Sequence, residues 1–212
     1  VVNAIREVHK RNTEGYEILA VGMCAVMIMP VLLDQNNRVI RPIISWLDER
    51  LSKQCVQLQQ QGQAKVISQH SGSLLTGEST ANTLFWVKEN EPDNFQKIHK
   101  FVLTKDFIRF KLTDRILTDF GDASGTLMLD TKKWQWNTEL ISELGLPQTI
   151  FPDLGKPTAI GGYLSKEASK LTGLNEGIPV AVGSGDGITT IFGLGIYEEG
   201  QAGIIVGTAG VL

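Results

Sequence analysis

Asp186 is the residue in this sequence whose setting most invites chemistry. It lies in Gly183-Ser184-Gly185-Asp186-Gly187, directly after the apolar run Ile178–Val182 and ahead of a helix-forming stretch. A carboxylate on a strand-to-helix turn, at the C-terminal end of the strand, is well placed to meet a ligand. Glycines on both sides leave room for a substrate or a metal-bound phosphate. The plainer role for Asp186 is to cap a helix that begins near Gly187. That accounts for the carboxylate but not for three glycines in five residues. A second turn, Gly207-Thr208-Ala209-Gly210, follows Ile204-Ile205-Val206. It can present backbone N–H groups and a hydroxyl to an anion, although Gly/Thr turns also end many ordinary strands. Neither turn is a Walker A loop or a GxGxxG fingerprint.

These turns must be carried by a framework of strands and helices. Of the 22 glycines, 14 fall between Gly155 and the C-terminus, where apolar strands (Pro179–Val182, Ala202–Val206) alternate with glycine-rich turns and one apolar helix near Gly187–Leu194. Upstream, Val1–Arg11 has helical spacing. Strands are expected at Ile18–Met23, Val31–Asp34 and Pro42–Trp46, with Asp34–Asn37 as a hairpin turn before Val39-Ile40. Leu47–Gln61 reads as a surface helix, Ser71–Thr80 as a loop, and Ala81–Glu89 as a helix. Pro92 suits the first turn of another, reaching about Lys100. Phe101–Leu103 reads as a strand, and Thr104 can cap a helix over Lys105–Leu112. Thr113–Asp130 is loop-like, ending in a strand at Thr126–Leu129. Short helices are expected at Asn137–Leu144 and Ser165–Leu171. The pattern is mixed α and β.

Composition narrows the function. The 212 residues are 42% hydrophobic and 20% charged, enough apolar material for a sizeable core and too much for disorder. Lys+Arg number 20 against Asp+Glu 23, which argues against a protein that works by neutralising nucleic-acid phosphates. Cys24 and Cys55 are far apart and His9, His70 and His99 are scattered, so a disulfide framework, zinc ribbon or histidine metal cluster is not expected. Such cysteine usage favours a reducing compartment, hence the cytoplasm. The apolar run Ile18–Leu33 is shorter than the roughly 20 residues that span a bilayer, and Gly22 and Pro30 interrupt it. No membrane partner is expected. Nothing at the start resembles a signal peptide, and a beginning at Val1 suggests a trimmed chain. Trp134 and Trp136 beside Lys132-Lys133 read as loop anchors before base-stacking residues. Phe85 and Trp86 read as core, and His70 as an exposed loop residue. Lys105-Asp106 with Arg109 reads as a solvated or cross-domain ion pair without chemistry.

An acid-bearing turn about twenty residues before a phosphate-type turn, each after a strand, is the combination that carries a resemblance. The chain resembles the FGGY family of carbohydrate kinases, within the actin, hexokinase and Hsp70-like superfamily, and in particular its xylulokinase branch. The likeness runs through GMCAVMIMPVLLDQNNRVIRPIISWLDER, LTKDFIRFKLT, TDFGDASGTLMLD, IPVAVGSGDGITTIFGLG and IIVGTAGV, in that order. It implies a ribonuclease H-like α/β domain, with a mixed sheet flanked by helices and incomplete at its N-terminal edge. By that likeness residues 1–212 are most of a sugar-binding first domain. A phosphate turn of Asp-x-Gly-Thr type before Ile18, and a second, nucleotide-binding domain, are absent from this chain.

The resemblance also implies roles. Asp186 would be the general base that takes the proton of the attacking sugar hydroxyl, and would help hold Mg2+. Gly207, Thr208, Ala209 and Gly210 would face the phosphates of ATP. Met27, Ile28 and Met29 match the sugar-binding turn, Trp46 an aromatic that packs on the polyol, with Asp48 and Arg50 close behind; Gly187 would border the substrate. Two positions depart from the pattern. Met27-Ile28-Met29 stands where the xylulokinase branch has Met-His-Gly, and Gly187 stands where Asn or Gln is common. An apolar Ile28 removes a polar partner from the pocket, so the expected substrate is less hydroxylated there and D-xylulose a mediocre one. The expected activity is ATP-dependent phosphorylation of a small sugar, ketose or polyol. The alternatives are a non-catalytic sugar-binding or regulatory module, or a gluconate- or erythritol-type kinase. The expected partner is a small molecule and not nucleic acid; the sequence leaves room for a homodimer.

Overall fold

The computed structural model describes residues 1–12, 14–206 and 210–211. The N-terminal helix α1 (Val2–Lys10) is followed by β1 (Cys24–Ala25) and β2 (Pro30–Leu33). β2 is buried at all four positions, and its continuous apolar sequence suits burial on both faces. After Asp34 the chain turns back, with Asp34 Oδ1 accepting from the N–H groups of Asn36 and Arg38 and Val39 pairing with Leu33. The expected hairpin turn is present.

Pro42–Trp46 forms no strand; only Ile44 in it is buried. The helix expected from Leu47 begins at Arg50 (α2, Arg50–Gln60), and it is more than a surface element, because Leu51, Gln54, Cys55 and Leu58 are buried. Another helix, α3 (Gln63–Ser71), occupies a stretch with no expected element. It runs between left-handed glycines at Gly62 and Gly72, which permit the turns at its ends. α4 (Thr80–Asn90) is capped by the Ser79 side chain on the Asn82 N–H, and α5 (Pro92–Gln96) opens on Pro92 but stops before Lys100. α2, α3 and α4 bury the largest apolar cluster, with Leu58, Ile67, Leu84 and Phe101 at its centre.

β3 (Lys100–Leu103) pairs antiparallel with β2, in the register Pro30↔Leu103 to Leu33↔Lys100. α6 (Thr104–Thr113) follows at once. Its cap residue is Leu103, not Thr104, whose hydroxyl instead donates to the Val26 carbonyl. The stretch expected to be loop holds β4 (Leu117–Asp119) and α7 (Phe120–Gly125), and its strand is shortened to β5 (Leu129–Asp130). β5 pairs with β6 (Gln135–Trp136), and the expected short helix is α8 (Thr138–Glu143), with Asn137 as its cap. β7 (Asp153–Gly155) lies parallel to β4, while β8 (Ile160–Tyr163) lies antiparallel to β9 (Pro179–Ala181) across a bulge. Between those two, α9 (Lys166–Thr172) is capped by Ser165 and closed by left-handed Gly173.

The extended segment at 18–23 forms no strand of its own, but Val21 is bridged in parallel to Val180 and the Met23 carbonyl accepts from the Ser184 N–H. The next step of the same alignment is the parallel pairing of β1 with β10 (Ser184–Gly185), which leads into α10 (Asp186–Gly193). The last described elements, β11 (Ile205–Val206) and β12 (Gly210–Val211), pair antiparallel. Parallel and antiparallel pairings thus coexist with helices, as the α/β reading requires. No described helix is long and apolar enough to cross a membrane.

Candidate active site

The pairing of β1 with β10 sets two turns side by side: Val26–Met29 after β1, and Gly185–Gly187 after β10. Asp186 is the first residue of α10. The cap position belongs to Gly185, whose side-chain-free backbone makes no capping bond. Asp186 is exposed, and its Oδ1 accepts from the Gly187 N–H at 2.9 Å. Among the described residues no hydrogen bond occupies its other oxygen.

The glycines around Asp186 have a measurable reason. A Cβ on Gly185 would collide with Cγ of Met27, and one on Gly187 would stand 3.3 Å from the Met27 sulfur. Gly183 has φ +75, and a Cβ there would run into the backbone of Met23. The Met27 side chain therefore lies against the Asp186 turn and needs glycines beneath it. Ile28 points elsewhere, with its Cγ2 2.6 Å from where a Cβ on Gly125 would be. Ile28 also has φ +60, a conformation that β-branched residues avoid. Met29 N–H donates to the Met27 carbonyl at 2.8 Å, closing a three-residue turn around it.

That strained turn is gripped at both its polar ends. The Ile28 N–H donates to Asp122 Oδ1 at 3.1 Å, and the Ile28 carbonyl accepts from the Thr80 hydroxyl at 2.6 Å. Asp122 belongs to a charge cluster with no solvent exposure at all. Lys105 Nζ lies 2.7 Å from Asp106 Oδ1, 2.8 Å from Asp119 Oδ1 and 3.5 Å from Asp122 Oδ2. Arg109 Nη1 reaches Asp106 Oδ1 at 2.8 Å and the Val182 carbonyl at 2.9 Å. Of the solvated or cross-domain ion pair expected at Lys105, Asp106 and Arg109, the pairing is present but it is not solvated: all three are fully buried. Sequence spacing could not show this, because Asp119 and Asp122 arrive from the stretch taken for a loop.

Charge counting explains how the cluster ionises. Three carboxylates face one ammonium and one guanidinium, an excess of one negative charge in a medium that penalises it. Burial pushes the Asp122 carboxyl up to about 7; Lys105 and the Ile28 N–H oppose the rise, while the Asp106 and Asp119 charges add to it. Burial alone would lower the Lys105 value, but the carboxylates of Asp106, Asp122 and Asp119 outweigh it and hold the ammonium above the ordinary lysine range.

The other expected site residues sit differently. Trp46 is 41% exposed. Asp48 pairs with Arg50 at 2.8 Å, and the Arg50 backbone and guanidinium hold its carboxyl below the usual range. Arg50 in turn lies over the Trp86 ring at 5.1 Å. No described hydrogen bond or ion pair joins Trp46 or Asp48 to the Met27–Asp186 group. Gly207, Thr208 and Ala209 lie outside the described residues, and Gly210 is seen as the start of β12. His70 is on α3, not in a loop, with Nδ1 3.1 Å from Asn137 Nδ2. Trp136 is anchored by its indole N–H on the Pro152 carbonyl.

The fold that brings these two turns together has counterparts among known proteins. The model of the FGGY family of carbohydrate kinases, N-terminal domain, matches residues 1–193, and the chain belongs to that family. It is 34% identical over 196 residues to the xylulose kinase of Escherichia coli (strain K12), covering 92% of this chain and 40% of that one. A solved Brucella ovis structure described as a "xyloylose kinase" superposes with a TM-score of 0.86 at 32% identity, over 99% of this chain and 42% of that one. The xylulose kinase of Rhodospirillum rubrum, at 24% identity and TM-score 0.87 over 97% of this chain and 42% of that one, shows the same fold. The fold is the sugar kinase, actin-like ATPase type expected from the sequence. The chain spans about two fifths of the length of the curated relatives it matches.

Proposed function

We propose that this chain is most of the sugar-binding first domain of a longer kinase, which transfers the γ-phosphoryl group of ATP to a hydroxyl of a small sugar, ketose or polyol. The observation that carries the reading is the placement of Asp186. Its carboxylate is exposed at the head of α10, and the neighbouring glycines let Met27 close against the turn. Phosphoryl transfer requires alignment, charge neutralisation and an acceptor for one proton. Asp186 supplies the acceptor: with Oδ1 held by the Gly187 N–H, the carboxylate is fixed and keeps an oxygen for the sugar hydroxyl. The Met27 side chain and the backbone turn at Ile28 form one wall of the sugar pocket, Gly187 borders it, and Trp46 and Asp48 serve its outer rim.

ATP brings the transferred group, and Mg2+ brought with it supplies charge neutralisation. Among the described residues no group of three or more His, Cys, Asp or Glu side chains gathers as a metal site. A lone exposed carboxylate nevertheless fits magnesium, which binds through one or two protein carboxylates together with phosphates and water. Asp186 would be that ligand, and Gly207, Thr208, Ala209 and Gly210 would meet the nucleotide phosphates. The xylulose kinases among the relatives make pentuloses the first substrates to try.

The test is Asp186→Asn in the full-length protein. The amide keeps the shape and the Gly187 hydrogen bond but takes no proton, so kcat should fall about 10²–10⁴-fold, with sugar affinity retained. Coupled ADP release and calorimetric sugar binding read the two quantities. A near-native kcat would show that Asp186 only shapes the helix start.

A further inference from the structure

The buried charge cluster touches neither solvent nor any surface from which a ligand could reach it, yet its hydrogen bonds end on the two turns of the candidate site. Asp119 Oδ2 accepts from the Ser184 hydroxyl at 2.7 Å, two residues before Asp186, and from the N–H groups of Gly121 and Asp122. Gly121 is glycine for this approach: a Cβ there would stand 2.9 Å from both Asp119 Oδ2 and Ser184 Oγ. Arg109 holds the Val182 carbonyl where β9 gives way to the Asp186 turn. Asp122 reaches the other side and accepts the Ile28 N–H. Lys105 lies between Asp119 and Asp122 and ties the two arms together.

We infer that Asp119 and Asp122, joined by Lys105, are positioning residues that fix the sugar-side turn at Ile28 and the base-bearing turn at Asp186 relative to each other. The Asp122 arm explains how Ile28 stays at φ +60. A conformation that is costly for an isoleucine persists only where its surroundings over-determine it, and here an acceptor holds its N–H while Thr80 holds its carbonyl. The Asp119 arm sets the height of Ser184, and through two peptide units that of Asp186. Neither acid reaches substrate; each acts through a turn that does. In catalytic terms the inference rests on the kinase reading, because the two arms should then affect different constants. Loss of the Asp122 arm loosens the sugar wall and raises KM. Loss of the Asp119 arm displaces the base and lowers kcat.

The experiment compares Asp122→Ala, Asp122→Asn and Ser184→Ala with the native full-length protein, by amide hydrogen exchange and by steady-state kinetics on the best sugar. Asp122→Ala should speed exchange of the Ile28 amide by about tenfold, the effect of losing one ordinary hydrogen bond. It should also raise sugar KM by about tenfold, with kcat little changed. Asp122→Asn keeps an oxygen acceptor and should restore both. Ser184→Ala should lower kcat by about tenfold or more, with KM little changed, since a misplacement of about 1 Å can cost about 10²-fold. Unchanged Ile28 exchange in Asp122→Ala overturns the inference, as does an Asp122→Asn protein impaired as badly as the alanine variant. So do kinetic losses that merely follow the melting temperature. If the native protein phosphorylates no sugar, it is the kinase reading that falls, and the exchange comparison still decides whether Asp122 holds the turn.

Discussion

Replacing Asp122 by Asn should change how stability depends on pH more than it changes the structure. In the folded chain the group is buried against Lys105 and Asp106 of α6, Asp119 of β4 and the Ile28 N–H, and burial pushes its carboxyl up to about 7 from 3.8. An acid whose value is raised on folding keeps its proton longer in the folded state than in the unfolded one. Its contribution is therefore most favourable below the unfolded value, declines as pH rises from about 4 to about 7, and is level above that. Each tenfold gain in proton affinity on folding is worth about 1.36 kcal/mol, so the decline amounts to about 4 kcal/mol. Asparagine is a neutral group of the same shape that never ionises, and it keeps the acceptor for Ile28. The native and Asp122→Asn proteins should thus be of similar stability near pH 4. By pH 8 the variant should be the more stable, by up to about 4 kcal/mol. Urea unfolding followed by tryptophan fluorescence at half-unit steps between pH 4 and 8 measures the difference, and groups remote from the cluster cancel in it. Curves that stay parallel over this range would refute the account of Asp122 as the proton-bearing member of the cluster.

Two further outcomes follow from backbone geometry. Gly183→Ala forces a Cβ at φ +75 and into the Met23 backbone; it should cost about 2 kcal/mol or more in urea unfolding, since the left-handed conformation alone costs about 1–2 kcal/mol. Ile28→His places at φ +60 a residue type that tolerates it better. It should raise the melting temperature by a few degrees, about 1 kcal/mol in stability, an outcome that a lower melting temperature would contradict.

Elements with a local signature were legible in the sequence. The helix starts at Asn137 and Ser165, the Asp34–Asn37 turn and the glycine stop at Gly173 each satisfy backbone groups with residues a few positions away, and the short helices and the turn are where the sequence puts them. Elements that depend on distant partners were not. α7 is six residues long and follows Asp119, whose side chain caps it while also accepting from Ser184, 65 positions away. Its sequence, Phe-Gly-Asp-Ala-Ser-Gly, reads as loop because Gly, Asp and Ser favour turns when considered alone. The charge cluster is hidden for the same reason, since Lys105 and Arg109 look like surface residues until Asp119 and Asp122 are packed against the first and the Val182 carbonyl against the second. Pro42–Trp46 failed in the opposite direction: its apolar composition suggests a strand, but only Ile44 has a core to enter.

Ile28 shows why the family pattern and the physical reading have to be taken together. Compared by residue type alone, isoleucine in place of an imidazole is a lost hydrogen bond in a sugar pocket. The structure changes what that comparison means. The polar groups at this position that do form hydrogen bonds belong to the backbone, and they are held by Asp122 and Thr80, while the side chain lies across Gly125. Position 28 therefore carries two separable demands: a left-handed backbone, and a side chain that covers α7. Isoleucine meets the second and resists the first, so the buried carboxylate must hold it in place. The conformation of the turn is in this way set from inside the core, by charges that never meet solvent.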